Sequence, residues 1–423
     1  MPPRSRQSAF RPTDDSPPMA LVEARRRILD MVQPIKDTER VALADALHRV
    51  LGESVVAAVA VPSADNSSMD GYGYAATSVE GRGGRLSLVG QSLAGHPFPG
   101  SVGAGECVRI TTGAVVPTGV DTVVMQENTR SEDGAIIVET PPEPGANIRP
   151  AGEDLAHGDR VLPAGSFLGP ADIAVLASVG AAEVTVVRRP RVAFFSTGDE
   201  LRSIDGPLAS GEVYDSNRYG LAAQIDSLGM EGVNLGVVRD SREALARAFD
   251  RAADCDALIT SGGVSVGAAD FVVDVLGEKG AVDFWRVAIK PGKPLAFGTI
   301  GRARFFGLPG NPVSTAVTFI QLVRPALVRL AGAMPAAPIR MTLPTATDLA
   351  KRPGREHFLR ARLDLASASP HVIALDHQGS GVMRSMSRAD AFIVLPADSG
   401  DVPAGTPVTV EPFAQAIWAK IEP

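Results

Sequence analysis

The residues with the clearest chemical potential form a turn rich in glycine and serine. Leu258 and Ile259 are followed by the sequence Thr-Ser-Gly-Gly-Val-Ser-Val-Gly at residues 260–267, and Asp270 then opens a helical pattern. This order predicts a buried strand that enters a tight turn at the start of a helix. Backbone N–H groups at such a turn bind phosphate, and a carboxylate just after it can hold a divalent cation against that phosphate.

Three more loops of similar character follow apolar runs in the same part of the chain. They contribute Ser196, Thr197, Gly198, Asp199 and Glu200, then Asp240, and finally Gly310, Asn311 and Ser314. Ligands of open α/β sheets bind beyond the carboxyl ends of the strands, so we expect these loops to line one crevice. Each loop alone is more simply an ordinary turn or helix cap, but together they favour an anion-binding site. A divalent metal such as Mg²⁺ would relieve the repulsion among the clustered carboxylates.

A basic loop, Ile-Lys-Pro-Gly-Lys-Pro, contains Lys290 and Lys293. Each lysine precedes a proline, which favours an extended backbone, and Gly292 allows the chain to turn between them. Taken alone, the motif is more simply two solvated lysines. The stiff backbone and the neighbouring crevice favour a site for an oxyanion.

A second set of polar loops lies earlier in the chain. Asp70 belongs to the sequence Asp-Asn-Ser-Ser-Met-Asp-Gly-Tyr, Thr112 to Arg-Ile-Thr-Thr-Gly, and Asp154 to Gly-Glu-Asp. Spacing alone supports capping residues of a loop-rich domain and a second functional group equally well.

The elements around these motifs predict a multidomain protein of the α/β plus β class. We expect a central three-layer α/β sandwich with a mainly parallel sheet, a small mostly-β domain and a small C-terminal β-barrel-like domain. Residues 1–18 are predicted to be a disordered tail without a secretory signal, and residues 19–56 and 156–187 a linking helical and extended region. The mostly-β domain spans 57–155, the α/β domain 188–336 and the C-terminal domain 337–423. The first helix, near residues 21–32, is a candidate to pack on the α/β domain, and a second helix is predicted at 41–51.

Composition excludes several classes of partner. The formal net charge is −7 and the aromatic content is 5%, which argues against nucleic acid and against an anionic membrane surface. The apolar run at 313–333 is interrupted by Arg324, Pro325 and Arg329, so we expect no membrane span. Cys107 and Cys255 lie in apolar surroundings and at no metal-ligand spacing. This pattern predicts buried, reduced thiols in a cytoplasmic protein.

The motifs together match a known family. From about Leu21 to the C-terminus the chain resembles the molybdopterin molybdenumtransferases of the MoeA family and is similar to the E domain of gephyrin. The resemblance rests on the blocks DNSSMDGY, RITTGA, VVMQE, GED, FSTGDEL, YDSN, TSGGVSVGAADF, IKPGKP, GLPGNPVS, PGR and HQGS. It implies the last step of molybdenum cofactor synthesis, in which adenylated molybdopterin and molybdate give molybdenum cofactor and AMP. It also implies four domains in a homodimer, with each active site shared between the α/β domain of one subunit and the small β domain of the other.

The resemblance also implies roles for individual residues. Glu200 and Asp270 would hold Mg²⁺, and Lys290, Lys293, Arg355 and Ser380 would bind molybdate. The pterin and phosphate groups would contact Ser196, Thr197, Gly198, Asp199, Ser261, Gly262, Gly263, Ser265, Gly310, Asn311 and Ser314. The catalytic positions would be Asp70, Thr112, Asp154, Glu200, Asp240 and Asp270. Ser68 and Gly73 stand where the family often has alanine, and neither change removes a functional group.

The sequence leaves open which group attacks phosphorus, and it leaves two other functions open. A molybdate oxygen or a water could attack phosphorus. The chain could instead be a Mg²⁺-dependent pyrophosphatase acting on another adenylated compound, or a non-catalytic scaffold of the same fold. The intact molybdate motif argues against the first rival, and the full set of candidate carboxylates argues against the second.

Overall fold

The computed structural model describes residues 17–79, 83–263 and 271–413. Contacts divide the chain into two compact units. Unit 1 comprises Met1–Thr38, His48–Val50 and Val187–Pro423, and unit 2 comprises Glu39–Leu47 and Leu51–Val186. The predicted tail lies outside the described residues except for its last two positions. The predicted boundaries of the five segments stay a prediction.

Unit 2 is mostly β, and it follows the first helix of the chain, α1 (Leu21–Met31), which belongs to unit 1. Its elements are β1 (Thr38–Ala42), β2 (Val55–Val56), β3 (Asn66–Ser67), β4 (Gly71–Tyr74), β5 (Arg85–Ser92), β6 (Glu106–Ile110), β7 (Thr122–Met125), β8 (Thr129–Glu132), β9 (Ala135–Val138), β10 (Ile148–Arg149), β11 (Arg160–Leu162), α2 (Pro170–Ser178) and β12 (Glu183–Val187). Six strands form a sheet in the order β7-β4-β6-β5-β9-β8, and three two-stranded pairs, β1-β12, β2-β11 and β3-β10, flank it along the chain. Only the β5–β6 pair of the large sheet is parallel.

The predicted helix at residues 41–51 is wrong. Val41 belongs to β1, which pairs with β12, and a single 3-10 turn, Leu43–Asp45, follows it. The Gly52 N–H then donates to the Thr185 carbonyl (2.9 Å). Helical spacing of a few apolar residues cannot reveal such partners, because they come from more than 100 positions away along the chain.

Unit 1 contains the predicted α/β sandwich. Its elements after α1 are β13 (Arg191–Thr197), β14 (Leu201–Arg202), β15 (Val213–Tyr214), α3 (Ser216–Asp226), β16 (Glu231–Val238), α4 (Arg242–Arg251), β17 (Ala257–Ser261), α5 (Phe271–Lys279), β18 (Gly280–Arg286), β19 (Ile289–Lys290), β20 (Pro294–Ile300), β21 (Ala303–Leu308), α6 (Pro312–Thr318) and α7 (Arg324–Leu330). The sheet order is β16-β13-β17-β21-β20-β18. The first four strands are parallel, and β20 and β18 are antiparallel additions.

Two apolar clusters cover the two faces of this sheet and confirm the three-layer architecture. Phe194 and Phe306 pack on one face with residues of α1, α3, α6 and α7. Phe195 and Phe305 pack on the other face with residues of α4 and α5. Consecutive residues of a strand point to opposite faces, so strands buried on both sides are apolar throughout.

The long helix of the α/β part has a π-helical turn in its middle. The turn, Phe319–Val323, joins α6 to α7, and Arg25 of α1 donates from Nε to the carbonyl of Gln321 in that turn (3.0 Å). The whole helix, Pro312–Leu330, is long and apolar enough to cross a membrane, but 72% of its most apolar window is buried inside the protein. It is therefore a core helix of the sandwich.

The C-terminal part forms a second sheet. Its elements are β22 (Met341–Pro344), β23 (Glu356–Asp364), β24 (His371–Ala374), α8 (Met383–Arg388), β25 (Ala391–Leu395) and β26 (Pro407–Pro412). The order is β19-β23-β25-β26-β22, with β24 also paired to β23. The Ala346 N–H, just after β22, donates to the Val372 carbonyl of β24 (2.9 Å). This bond joins β22 to β24 and gives the sheet a barrel-like form. Strand β19 pairs Lys290 with His357, so the lysine loop is fixed against the C-terminal part.

Candidate functional site

A cavity of about 1100 Å³ lies in unit 1 beyond the carboxyl ends of the parallel strands. The predicted site residues that line it are Thr197, Gly198, Glu200, Asp240, Gly262, Gly263, Lys290, Lys293, Gly310, Asn311, Ser314, Arg355 and Ser380. Segments far apart in the sequence thus meet at one place. Ser265 and Asp270 lie outside the described residues. Ser196, Asp199 and Ser261 are adjacent along the chain to residues that line the cavity, and Asp70, Thr112 and Asp154 belong to unit 2.

The glycine-rich turn after β17 needs glycine for steric reasons. Gly262 has φ +91°, and a Cβ there would lie 2.4 Å from the Thr197 carbonyl oxygen. The Gly262 N–H donates to the Leu308 carbonyl (3.0 Å). The turn is therefore pressed between β13 and β21, and a side chain at this position would force the strands apart.

Two residues that tie the cavity wall together were missed as site residues by the sequence analysis. Asn217 donates from Nδ2 to Ser261 Oγ (2.7 Å) and to the Gly310 carbonyl (2.6 Å), so it joins the two predicted phosphate-binding turns. Asp215 accepts from Ser196 Oγ (2.8 Å). The YDSN block contained the signal, because an aspartate before a helix start is typical of an N-cap. Asp215 does cap α3.

The acidic residues of the cavity have oxygens available to a cation. Asp240 Oδ1 is buried and has no hydrogen-bond partner among the described residues. Burial, and then the nearby charge of Asp199, raises the pKa of Asp240. Glu200 also lines the cavity, and its carboxylate lies over Gly198, where a Cβ would come within 2.6 Å of it. Carboxylate oxygens that lack N–H donors suit Mg²⁺, which keeps several waters and shares the phosphate oxygens of its ligand.

No cluster of three or more His, Cys, Asp or Glu side chains with metal-binding geometry occurs among the residues that the structure describes.

The basic residues create a positive region at the same cavity. Lys290, Lys293 and Arg355 line it. His357, next to Lys290 in the sheet, is 4% exposed. Burial, and then the charges of Lys290, Arg360, Lys351 and Arg355, lower the pKa of His357 to about 4. The cations that line the cavity, rather than the buried histidine behind them, make this edge suitable for an anion.

The loop at residues 377–380 is held to both parts of unit 1. Gln378 donates from Nε2 to the carbonyls of Arg360 (2.8 Å) and Leu375 (2.7 Å), and its Oε1 accepts from the Arg360 N–H (3.0 Å). The Ser380 carbonyl accepts from the Val313 N–H (3.0 Å) at the start of α6. Ser380 is thereby fixed at the cavity wall.

Unit 2 joins the loop that carries Asp70 to the loops that carry Thr112 and Asp154. Asp70 Oδ1 accepts from the N–H (2.7 Å) and hydroxyl (2.9 Å) of Thr112, and these two bonds lower the pKa of Asp70. Asp154 N–H donates to the Val61 carbonyl (3.0 Å) in the same loop that leads to Asp70.

Comparison with known proteins gives a consistent result along the chain. The family model described as "MoeA N-terminal region (domain I and II)" matches residues 19–180, "Probable molybdopterin binding domain" matches 193–329, and "MoeA C-terminal region (domain IV)" matches 342–413. The molybdopterin molybdenumtransferase of Haemophilus influenzae is 41% identical over 399 residues, which cover 93% of this chain and 98% of that protein.

Two further matches agree with these. The molybdopterin molybdenumtransferase of a Nostoc species is 37% identical over 89% of this chain and 88% of its own length. The crystal structure of the molybdopterin biosynthesis moeA protein of Pyrococcus horikoshii OT3 superposes with a TM-score of 0.81 at 27% identity, over 93% of this chain and 100% of that one.

Proposed function

This chain belongs to the MoeA family, the molybdopterin molybdenumtransferases of molybdenum cofactor biosynthesis, and on that premise we propose that it joins molybdate to adenylated molybdopterin in a Mg²⁺-dependent reaction. An oxygen of molybdate or of a water attacks phosphorus as the P–O bond of the phosphoanhydride breaks and AMP leaves. The two dithiolene sulfurs displace oxygen ligands of molybdate, which leave as water. One observation carries the proposal. A single cavity is lined both by carboxylates that suit a cation and by ammonium and guanidinium groups that suit an oxyanion.

The basic residues account for binding of molybdate. Molybdate is a dianion, and Lys290, Lys293 and Arg355 offset its charge. The guanidinium of Arg355 can donate two parallel hydrogen bonds to neighbouring oxygens, and the hydroxyl of Ser380 donates another. Soft sulfur ligands of the pterin then suit molybdenum.

The acidic edge and the turns account for binding of the adenylated end. The backbone N–H of Gly263 and the polar side chains of Asn311 and Ser314 bind phosphate oxygens. Glu200, together with Asp270, would hold Mg²⁺. When bound, the ion supplies positive charge beside the phosphoanhydride.

The proposal is tested by incubating the protein with adenylated molybdopterin, Mg²⁺ and molybdate, and measuring AMP and pterin-bound molybdenum together. We expect the two products to rise in equal amounts and to depend on both ions. AMP release without molybdenum incorporation would instead support the pyrophosphatase, and no release at all would support the scaffold.

Two variants connect the result to the cavity. Lys290→Ala should raise the molybdate concentration required and spare AMP release at saturating molybdate, whereas Lys36→Ala, which removes an exposed lysine, should change neither. Glu200→Gln should raise the Mg²⁺ requirement, with the exposed Glu243→Gln as its control. Unchanged ion requirements in both cavity variants would contradict the assignment of this cavity.

The proposed working form is a homodimer in the cytoplasm, in which unit 2 of one subunit completes the cavity of the other. The acidic loops around Asp70 form one group and the cavity around Lys290 forms another, and each is contained within a different unit. The free, buried thiols of Cys107 and Cys255 suit a reducing compartment.

A further inference from the structure

The side chain of Arg360 is the most unusual charge in the C-terminal part. Arg360 lies in β23 and is 0% exposed. Among the described residues, no carboxylate lies within ion-pair distance of it. Burial of a guanidinium without an ion-pair partner destabilises a fold unless hydrogen bonds satisfy its N–H groups. The hydrogen-bond partners of Arg360 therefore need explanation.

Those partners are concentrated on one loop. Arg360 Nη2 donates to the carbonyls of His377 (3.4 Å) and Gly379 (3.2 Å). Its backbone N–H and carbonyl are both bonded by Gln378, at 3.0 and 2.8 Å. Three consecutive residues of the loop are therefore attached to this one arginine.

The remaining bonds of the guanidinium fix its plane. Nε donates to Ser385 Oγ in α8 (3.0 Å), and Nη1 reaches the Phe358 carbonyl (3.5 Å). Because the guanidinium is planar and rigid, anchoring one edge on Ser385 sets the direction of the edge that contacts the loop.

The loop leads directly into the cavity. Ser380 follows Gly379 and lines the cavity with Lys290 and Arg355, and its carbonyl is bonded to Val313 of α6. A hydroxyl can donate to a tetrahedral anion only if it is held within a few tenths of an ångström of its place. The attachment of Gly379 to Arg360 and the bond from Val313 to Ser380 together set where the Ser380 hydroxyl lies.

We infer that Arg360 is a positioning residue of the oxyanion pocket: through the carbonyls of His377 and Gly379 it holds Ser380 where that hydroxyl donates to molybdate. The role rests on the proposed function. Arg360 itself does not line the cavity and does not touch the substrate. Its buried charge adds to the positive potential that His357 experiences.

The test compares the molybdate KM of four variants in the complete reaction with the full-length protein. Arg360→Met removes the guanidinium, and Arg360→Lys keeps a charge but loses the planar fork. Arg352→Met removes an exposed guanidinium from the same part of the chain. Ser385→Ala removes the bond that anchors the other edge of the guanidinium.

We expect Arg360→Met to raise the molybdate KM about tenfold, the effect of losing one hydrogen bond to a charged group. The rate at saturating molybdate and the KM for adenylated pterin should stay within about twofold. Arg360→Lys should stay several-fold above the wild type, because an ammonium lacks the planar fork that donates to Ser385 from one nitrogen and to the loop from another. Arg352→Met should keep the wild-type molybdate KM. Ser385→Ala should raise it less than Arg360→Met does, because the guanidinium loses the bond that sets its direction but keeps its bonds to the loop.

Several results would overturn the inference. One is a wild-type molybdate KM in Arg360→Met, and another is full recovery in Arg360→Lys. A third is a parallel change of both KM values with the melting temperature, which would indicate a merely structural arginine. If Arg360→Met does not fold, Arg360→Lys carries the test, supported by faster amide hydrogen exchange in residues 377–380. Failure of the proposed function is distinct, because the wild-type protein itself would then show no molybdate-dependent product.

Discussion

The neutral His357 predicts a specific pH dependence of folding stability. In the folded protein its pKa is lowered from 6.5 to about 4, first by burial and then by Lys290 and the other neighbouring cations. The unfolded chain binds a proton near pH 6.5 and the folded protein does not. The stabilising contribution is therefore fully present above pH 6.5 and is lost as the pH falls towards 4.

The magnitude follows from the difference between the two pKa values. One pH unit corresponds to about 1.4 kcal/mol, so a lowering from 6.5 to about 4 corresponds to about 3 kcal/mol at most. Since the side chain is 4% exposed, solvent screening reduces this figure little. We expect the free energy of unfolding of the wild type to fall by up to that amount between pH 6.5 and 4, beyond the general effect of acid.

The assay is urea unfolding at several pH values in this window, compared between the wild type and His357→Gln. The variant should lose the extra slope, because it has no imidazole to protonate at this position. His96→Gln, which removes an exposed imidazole in unit 2, controls for the loss of a histidine as such. Molybdate should also raise the pKa of His357, measured by NMR, because a bound dianion offsets the surrounding cations.

Equal slopes in His357→Gln and the wild type would refute the electrostatic reasoning. So would a His357 resonance that titrates near pH 6.5 in the folded protein. A resonance that titrates near pH 4 but does not respond to molybdate would leave the buried histidine intact and would contradict the location of the oxyanion.

The remaining predictions concern the turn, the core and the assembly. Gly262→Ala should lower the free energy of unfolding by more than about 1 kcal/mol, measured by urea unfolding, because its φ is positive and a Cβ meets a backbone carbonyl. Gln321→Leu should lower it by about 1–3 kcal/mol in the same assay, because the buried Glu411 loses the 2.6 Å bond from Gln321 Nε2, and a cost within error of zero would contradict this. Asp70→Asn and Lys290→Ala proteins, each with impaired turnover at limiting molybdate, should recover about one quarter of wild-type activity when subunits are mixed and exchanged, because half of the dimers then contain one intact site. Absence of recovery despite confirmed subunit exchange would place each site within a single chain.

Short-range signals allowed much of this protein to be predicted. The apolar runs of the sandwich are strands because their residues are buried on both faces, and their endings in glycine, serine and aspartate gave the turns that line the cavity. The lysine loop was recognisable because proline restricts each lysine and glycine turns the chain between them. These features depend on neighbours along the chain, so a single sequence can report them.

Other features depended on contacts that the sequence does not encode locally. The segment at 41–51 has the apolar spacing of a helix, yet its backbone groups bond to β12. Asn217 joins two turns that are far from each other in the sequence, so its role cannot be recognised from its own neighbours. Arg360 lies within an apolar strand pattern and contacts a loop that comes after an intervening strand.

The amino-acid sequence by itself determined the strands, turns and helices of the α/β sandwich, and which chemical groups stand at their ends. The tertiary structure alone decided that the carboxylates, the lysines and the 377–380 loop share one cavity, and that a buried arginine holds that loop. The physical reason is that burial, charge repulsion and hydrogen-bond geometry arise from residues that meet only after the chain has folded.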